Sequence, residues 1–183
     1  YQACGEVGPG RLAEPEVIAE AVRVHLAQNR SLAGKRVLVT AGPTIQDLDP
    51  VRFISNRSTG RMGYAVAAEA VTRGAEVHLV SGPVAIEPPS GVHLVRVRSA
   101  EEMAEAVFRL FPDMDIVVKA AAVSDYTPVD VSREKISKSP ENKMLELTRT
   151  VDILLELGKR KTTQFLAGFA AESRDLEESA ARK

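Results

Sequence analysis

Short apolar, β-branched runs recur between helix-length amphipathic stretches, and this alternation constrains the fold more than any other feature of the chain. "KRVLVTAG" at 35–42 is the first such run. "AEVHLVSG" at 75–82, "VHLVRV" at 92–97, "MDIVVKAAAV" at 114–123 and "QFLAGFAA" at 164–171 follow. "MGYAVAAEAVTRG", "SAEEMAEAVFRLF" and "TVDILLELGKR" lie between them with helical spacing. Strands apolar along their whole length must be covered on both faces, and crossover helices between parallel strands do this. The expected fold is therefore α/β: a doubly wound, mostly parallel, Rossmann-like sheet with helices on both faces. A chain of 183 residues has room for one such core.

Local signals refine the boundaries. Pro15 opens a helix whose apolar positions are Val17, Ile18, Ala21, Val22, Val24 and Leu26. "NRSLAGK" at 29–35 then reads as a boundary or hinge, giving a first segment 1–34 and an α/β domain 35–183. Gly74 stands at a helix C-terminal cap position. Ser99 with Glu102 forms a capping box opening the next helix. "LELT" at 145–148 predicts a short strand, and "SRDLEESAARK" at 173–183 the start of a closing helix.

Bulk properties exclude several classes of partner. Net charge is −1 and aromatics make up 4% with no Trp, which disfavours nucleic-acid binding. No apolar stretch approaches the roughly 20 residues that span a bilayer, so no membrane role is expected. The single cysteine, Cys4, has no intrachain partner for a disulfide, in keeping with a reducing, cytoplasmic setting. His25, His78 and His93 are isolated and read as structural, and neither a Ser–His–Asp set nor H-E-x-x-H is visible.

An open parallel sheet binds ligands beyond the carboxyl ends of its strands, where strand order reverses. With common strand orders, the first strand (35–42) and the fourth (114–123) meet there. The long loops 41–63 and 120–135 should then face each other, each without regular structure. The first holds "VRFISNRSTGRMGYA", with Asn56, Ser58, Thr59, Gly60 and Gly63 just ahead of a helix N-terminus, a ready anion site. The same residues also fit a plain Ser/Thr-capped turn with glycines at the bend, and composition does not decide between the two. The second holds "AAAVSDY", where Ala120, Ala121 and Ala122 leave room for a flat group and Asp125 follows. Packing beneath a helix would explain those alanines equally. Lys135 and Lys138 are either solvated charges or phosphate clamps. Lys119, inside an apolar strand, is expected to snorkel at a sheet edge or pair with a carboxylate.

Four motifs in order carry a more specific message. "GKRVLVTAGPT…LDPVRFISNRSTGRMGYAVA", "DIVVKAAAVSDYTP", "EKISK" and "FLAGFAAE" resemble the signature of phosphopantothenoylcysteine synthetase, over roughly 35–183. "ACGEVGPGR" near the N-terminus resembles the end of the flavin-dependent decarboxylase to which bacterial synthetases are fused. Cys4 matches the decarboxylase cysteine that protonates its intermediate, and FMN would belong only to that flavin domain. The resemblance implies a ligase that joins 4′-phosphopantothenate to cysteine with CTP, through an acyl-cytidylate and with Mg²⁺. It further implies a homodimer, within a larger assembly when fused, and a synthetase domain that continues past Lys183.

Residue roles follow from the same resemblance. Asn56 matches the residue contacting the acyl-cytidylate, in a segment with Ser58, Thr59, Gly60 and Gly63 that holds the acyl portion. Lys135 matches the lysine that stabilises charge in nucleotidyl transfer. Ala120, Ala121, Ala122, Asp125, Val151, Asp152, Ile153, Leu154, Phe169 and Lys183 match nucleotide contacts, with Asp125 also reaching the metal. The chain departs from the pattern at Ile45–Gln46–Asp47, where the family commonly has Arg-Glu-Pro. It departs again at Thr150–Val151, where Asn-Pro is common. Two other readings stay open at this stage. An NAD(P) oxidoreductase fits the architecture, although no G-x-G-x-x-G follows the first strand and no acid ends the second. A domain that binds nucleotide without turnover is the other.

Overall fold

The computed structural model describes residues 13–26, 30–140 and 142–169, with backbone only for 21–26. Helix α1 (Pro15–Leu26) leads, and its side chains from Pro15 to Glu20 are exposed. Strand β1 (Arg36–Ala41), the short strands β2 (Ile45–Asp47) and β3 (Phe53–Ser55) and helix α2 (Arg61–Thr72) follow. Next come β4 (Glu76–Ser81), β5 (Val92–Arg96) and α3 (Ala100–Leu110). The described chain closes with β6 (Ile116–Lys119), β7 (Tyr126–Pro128), β8 (Leu147–Arg149), α4 (Ile153–Arg160) and β9 (Phe165–Gly168).

The main sheet has five strands in the order β5-β4-β1-β6-β9. Every pairing in it is parallel, with Val39 opposite Leu79 on one side and Val118 on the other. Alternation along the strands divides the core in two. Val37, Val39, Ala41, Val77 and Leu79 pack on Tyr64, Ala67 and Ala70 of α2. Leu38, Val80 and Val117 face Met103 and Val107 of α3 and Ile153 and Leu157 of α4. Helices thus cover both faces, as the continuous apolar strands require.

The predicted caps form, one of them with a shift. Gly74 takes φ 85°, and its N–H and that of Ala75 reach back to the carbonyls of Val71 and Ala70. This pair of hydrogen bonds closes α2 as a Schellman motif. Ser99 Oγ accepts the Glu102 N–H at 3.1 Å, opening α3. The return bond from Glu102 goes one residue earlier than a capping box prescribes, accepting from Arg98 N at 2.7 Å. Apolar composition overstated β6: the continuous ladder stops at Lys119, and beyond it Ala122 alone of 120–123 bridges back, to Pro43.

Loops 41–63 and 120–135 contain regular structure, contrary to expectation. β2 and β3 form an antiparallel pair inside the first. β7, in the second, pairs antiparallel with β8, which overlaps the predicted "LELT" strand. β2, β3 and β7 are only three residues long, below the length at which period-2 patterning is legible. Cys4, Lys183 and the helix expected at 173–183 lie outside the described residues.

Candidate active site at the strand-order switch

β1 lies between β4 and β6, so strand order reverses beside it, and the chain segments leaving β1 and β6 meet as expected. They are stitched together by backbone and side chain. Ala121 N–H donates to Thr40 Oγ1 at 3.1 Å, and Ala122 N–H to the Gly42 carbonyl at 2.9 Å. Thr44 N–H donates to the Ala122 carbonyl, and Ser124 N–H to Thr44 Oγ1 at 2.9 Å. Asn56 Nδ2 donates to the same Ala122 carbonyl at 3.0 Å. The two loops nominated from sequence therefore share one wall. Gly82, the residue after β4, lets the segment leaving β1 pass close by: a Cβ there would lie 1.7 Å from the Pro43 carbonyl oxygen.

Arg57, Ser58, Thr59, Gly60, Gly63 and Ala120 line a hollow of about 250 Å³ at the start of α2. Gly60 is the N-cap residue, in the left-handed region at φ 76°, with no side-chain cap bond. Ser58 and Thr59 therefore do not cap the helix; Ser58 Oγ accepts the Gly60 N–H at 3.3 Å instead. The bend is built by Gly60 and a local Ser58 turn bond, not by a Ser/Thr cap. Residues of the first turn of α2 line the hollow, and among the described residues no side chain caps that helix end, where an anion is favoured. Gly63 brings α2 against β1, since a Cβ would stand 2.6 Å from that of Ala41 and 2.9 Å from the Thr40 carbonyl oxygen.

A second space is a cleft of about 380 Å³. It gathers Asp125, Val151, Asp152, Ile153, Leu154 and Phe169, all nominated from sequence. It adds Lys119, Tyr126 and Arg149, which sequence reasoning did not place there. Lys119 ends an interior strand, not a sheet edge, so its side chain reaches the cleft mouth beside Gly168 of β9. Arg149 enters through the β7–β8 pair, and no local signal in the sequence could have revealed that pairing. Thr150 holds the cleft floor: its Oγ1 donates to the Ser124 carbonyl at 2.6 Å and its N–H to that of Asp125 at 2.9 Å. Asp152 caps α4, accepting the Leu155 N–H at 3.1 Å. Of the three alanines nominated as nucleotide contacts, Ala120 lines the α2 hollow, while Ala121 and Ala122 line neither space and are bonded to the segment leaving β1.

Lys135 lines neither space, but its neighbour is anchored to the first loop. The Asp49 carboxylate, 2% exposed as a residue, accepts the N–H groups of Val51, Arg52 and Ile136 and the Arg52 guanidinium. Arg52 also donates to the Ile136 carbonyl. Burial alone would push the Asp49 carboxyl up. The N–H donors and Arg52 outweigh it and hold the group well below the usual carboxylate range. At the departing Ile45–Gln46–Asp47 segment, Asp47 forms a forked pair with Arg98, at 2.7 and 3.1 Å. This bond lowers the Asp47 pKa and raises that of Arg98.

Residues 32–183 match the model of the DNA/pantothenate metabolism flavoprotein C-terminal domain. The chain belongs to this family. Its similarity to the coenzyme A biosynthesis bifunctional protein CoaBC of Bacillus subtilis is 51% identity over 186 aligned residues, covering 100% of the chain and 46% of that protein. A cysteine/cysteine sulfinic acid decarboxylase from an unknown prokaryote is 47% identical over 94% of the chain and 50% of its own length. The chain spans about half the length of these curated relatives. The crystal structure of the C-terminal domain of a CoaBC protein superposes with a TM-score of 0.74 at 51% identity, covering 85% of this chain and 73% of that one. The fold of the flavoprotein C-terminal domain is thus the one described above.

Proposed function

We propose that this domain is a phosphopantothenate–cysteine ligase acting in coenzyme A biosynthesis and driven by CTP. The observation that carries the reading is the common wall segment. The hollow at α2 is lined by Ala120 and the cleft by Lys119 and Val123, so both open on the segment leaving β6, and Asn56 is bonded to the Ala122 carbonyl within that segment. An acyl chain held in the hollow would meet a nucleotide phosphate held in the cleft along that segment.

In the first step a carboxylate oxygen of 4′-phosphopantothenate attacks the α-phosphorus of CTP, and the bond to pyrophosphate breaks. In the second the cysteine amine attacks the acyl carbon, loses a proton, and CMP leaves. Charge grows on phosphoryl and acyl oxygens in both steps, so positioned donors and cations do most of the work. Lys119 and Arg149 would face the triphosphate. Lys135 would be brought to the developing charge by the anchored segment. Asn56, already at the wall, would hold the acyl-cytidylate. The cleft's carboxylates supply the hard oxygens Mg²⁺ prefers; Asp125 would hold it, since Asp152 is occupied as a helix cap. The bound metal would neutralise triphosphate charge.

The test is pyrophosphate release with CTP, Mg²⁺ and 4′-phosphopantothenate, with and without cysteine. Release that depends on CTP and yields a cysteine adduct supports the ligase. CTP binding without release would instead identify a binding domain, and NAD(P)H binding with no CTP interaction would revive an oxidoreductase. Lys135→Gln should slow pyrophosphate release by roughly 10²–10³-fold, the usual cost of one electrostatic stabiliser. Asn56→Asp should leave that step and slow conversion of the acyl-cytidylate.

A further inference from the structure

At the opposite end of the sheet from the switch point, the structure brings together groups that were separate in sequence. His78 of β4 and His93 of β5 are direct register partners, so their side chains leave the same face of adjacent strands. Glu76 lies two residues before His78 and therefore on that face too. Its Oε1 is 3.3 Å from His78 Nε2 and 4.0 Å from His93 Nε2. The imidazoles stack at 4.9 Å with 27° between their planes. Ligand atoms of all three residues lie within 4.8 Å of one another.

We propose that Glu76, His78 and His93 form a binding site for a divalent transition-metal ion, Zn²⁺ being the best fit. Two imidazole nitrogens and one carboxylate oxygen are a borderline donor set that suits Zn²⁺, Co²⁺, Ni²⁺ or Cu²⁺ and not Mg²⁺ or Ca²⁺. Zinc bonds to N and O of about 2.0–2.1 Å set ligand edges of about 3.3 Å in a tetrahedron. The Glu76–His78 edge already has that length. His93, with 64% of its side chain exposed, has the freedom to turn its ring and close the longer edge. Arg36, opposite Glu76 on β1, is engaged instead with Asp113 at 3.7 Å and leaves the carboxylate available to a cation. Three protein ligands leave a fourth position for water. Glu76 and Ser81 sit at opposite ends of β4, about 16 Å apart at ~3.3 Å per residue, so the ion would be remote from the proposed ligase chemistry. It would cross-link β4 to β5 near the start of both strands, next to the sheet edge.

The experiment is calorimetric titration of metal-stripped protein with Zn²⁺, and with Co²⁺ for its visible spectrum. It is done in a C4S/H25A background so that thiol and imidazole ligands outside the cluster do not contribute. The expected result is one Zn²⁺ per chain, undisturbed by excess Mg²⁺, with the absorption of four-coordinate Co²⁺. H93A and E76Q, both at exposed positions, should each weaken binding at least roughly tenfold while pyrophosphate release is unchanged. Absence of Zn²⁺ binding would overturn the proposal, and binding equally tight in H93A and E76Q would mean an adventitious ion only and overturn it as well.

Discussion

Asp49 shows how one residue can tie together segments far apart in sequence. Its carboxylate receives donors from its own loop and from Ile136, 87 positions away. Replacing it with Asn keeps the size but removes the charge and half of the acceptor capacity. Asp49→Asn should speed exchange of the Ile136 amide by roughly ten- to hundredfold, the range for loss of a charge-assisted hydrogen bond. Hydrogen exchange read by NMR measures this directly; unchanged protection would show that the anchor lies elsewhere. Gln46 behaves in the opposite sense. It is 5% exposed, and among the described residues its Nε2 has no hydrogen-bond partner, while Oε1 accepts from Thr127 at 3.3 Å. A buried unsatisfied donor costs about 1–3 kcal/mol, comparable to what the weak Thr127 bond returns. Gln46→Met should therefore change stability by less than about 1 kcal/mol in urea unfolding, which is unusual for a buried polar residue.

Two elements make separable predictions. Asp152 is both the N-cap of α4 and a wall of the cleft. Ser also caps, so Asp152→Ser should hold stability within a few tenths of a kcal/mol, whereas Asp152→Ala should lose about 1 kcal/mol. Any nucleotide affinity lost in the Ser variant then reports the carboxylate and not the helix. Helix α2 is different, because its contact with β1 has no slack. Gly63→Ala would press a methyl onto Ala41 and the Thr40 carbonyl, and overpacking of this kind costs about 1–3 kcal/mol. Thermal unfolding should show a fall of several degrees, and an unchanged midpoint would mean that α2 can lift off the sheet freely.

The molecule as a whole carries a set of carboxylates held below their ordinary range. Asp49 is held there by backbone N–H groups and Arg52 against its burial, Asp47 chiefly by Arg98, Asp115 by the Arg36 N–H, and Glu156 by Lys159. Depressed folded-state values contribute stability that is fully present above the unfolded carboxylate pKa of about 4 and is lost as pH falls through the folded values. Urea midpoints should be flat from pH 7 down to about 5 and fall below pH 4. The fall should be shallower in Asp49→Asn. A midpoint unchanged at pH 3 would contradict this origin of acid lability.

The sequence by itself determined the parallel sheet, both layers of helices and the loops that meet at its switch point. Those properties are written in local pattern: continuous apolar strands demand cover on both faces, and Gly74 and Ser99 mark helix ends wherever they occur. The motif segments brought most nucleotide candidates to one cleft for the same reason, since each follows a strand end. Tertiary structure alone decided the rest. Lys119 and Arg149 share a cleft only because β6 is interior and β8 pairs with β7, a contact between short pieces with no period to read. Asp49 reaches Ile136, and His78 stacks on His93, through contacts between segments whose separation in the chain gives no hint of adjacency. Pairing and register place these side chains, and both depend on how the whole chain closes around its core.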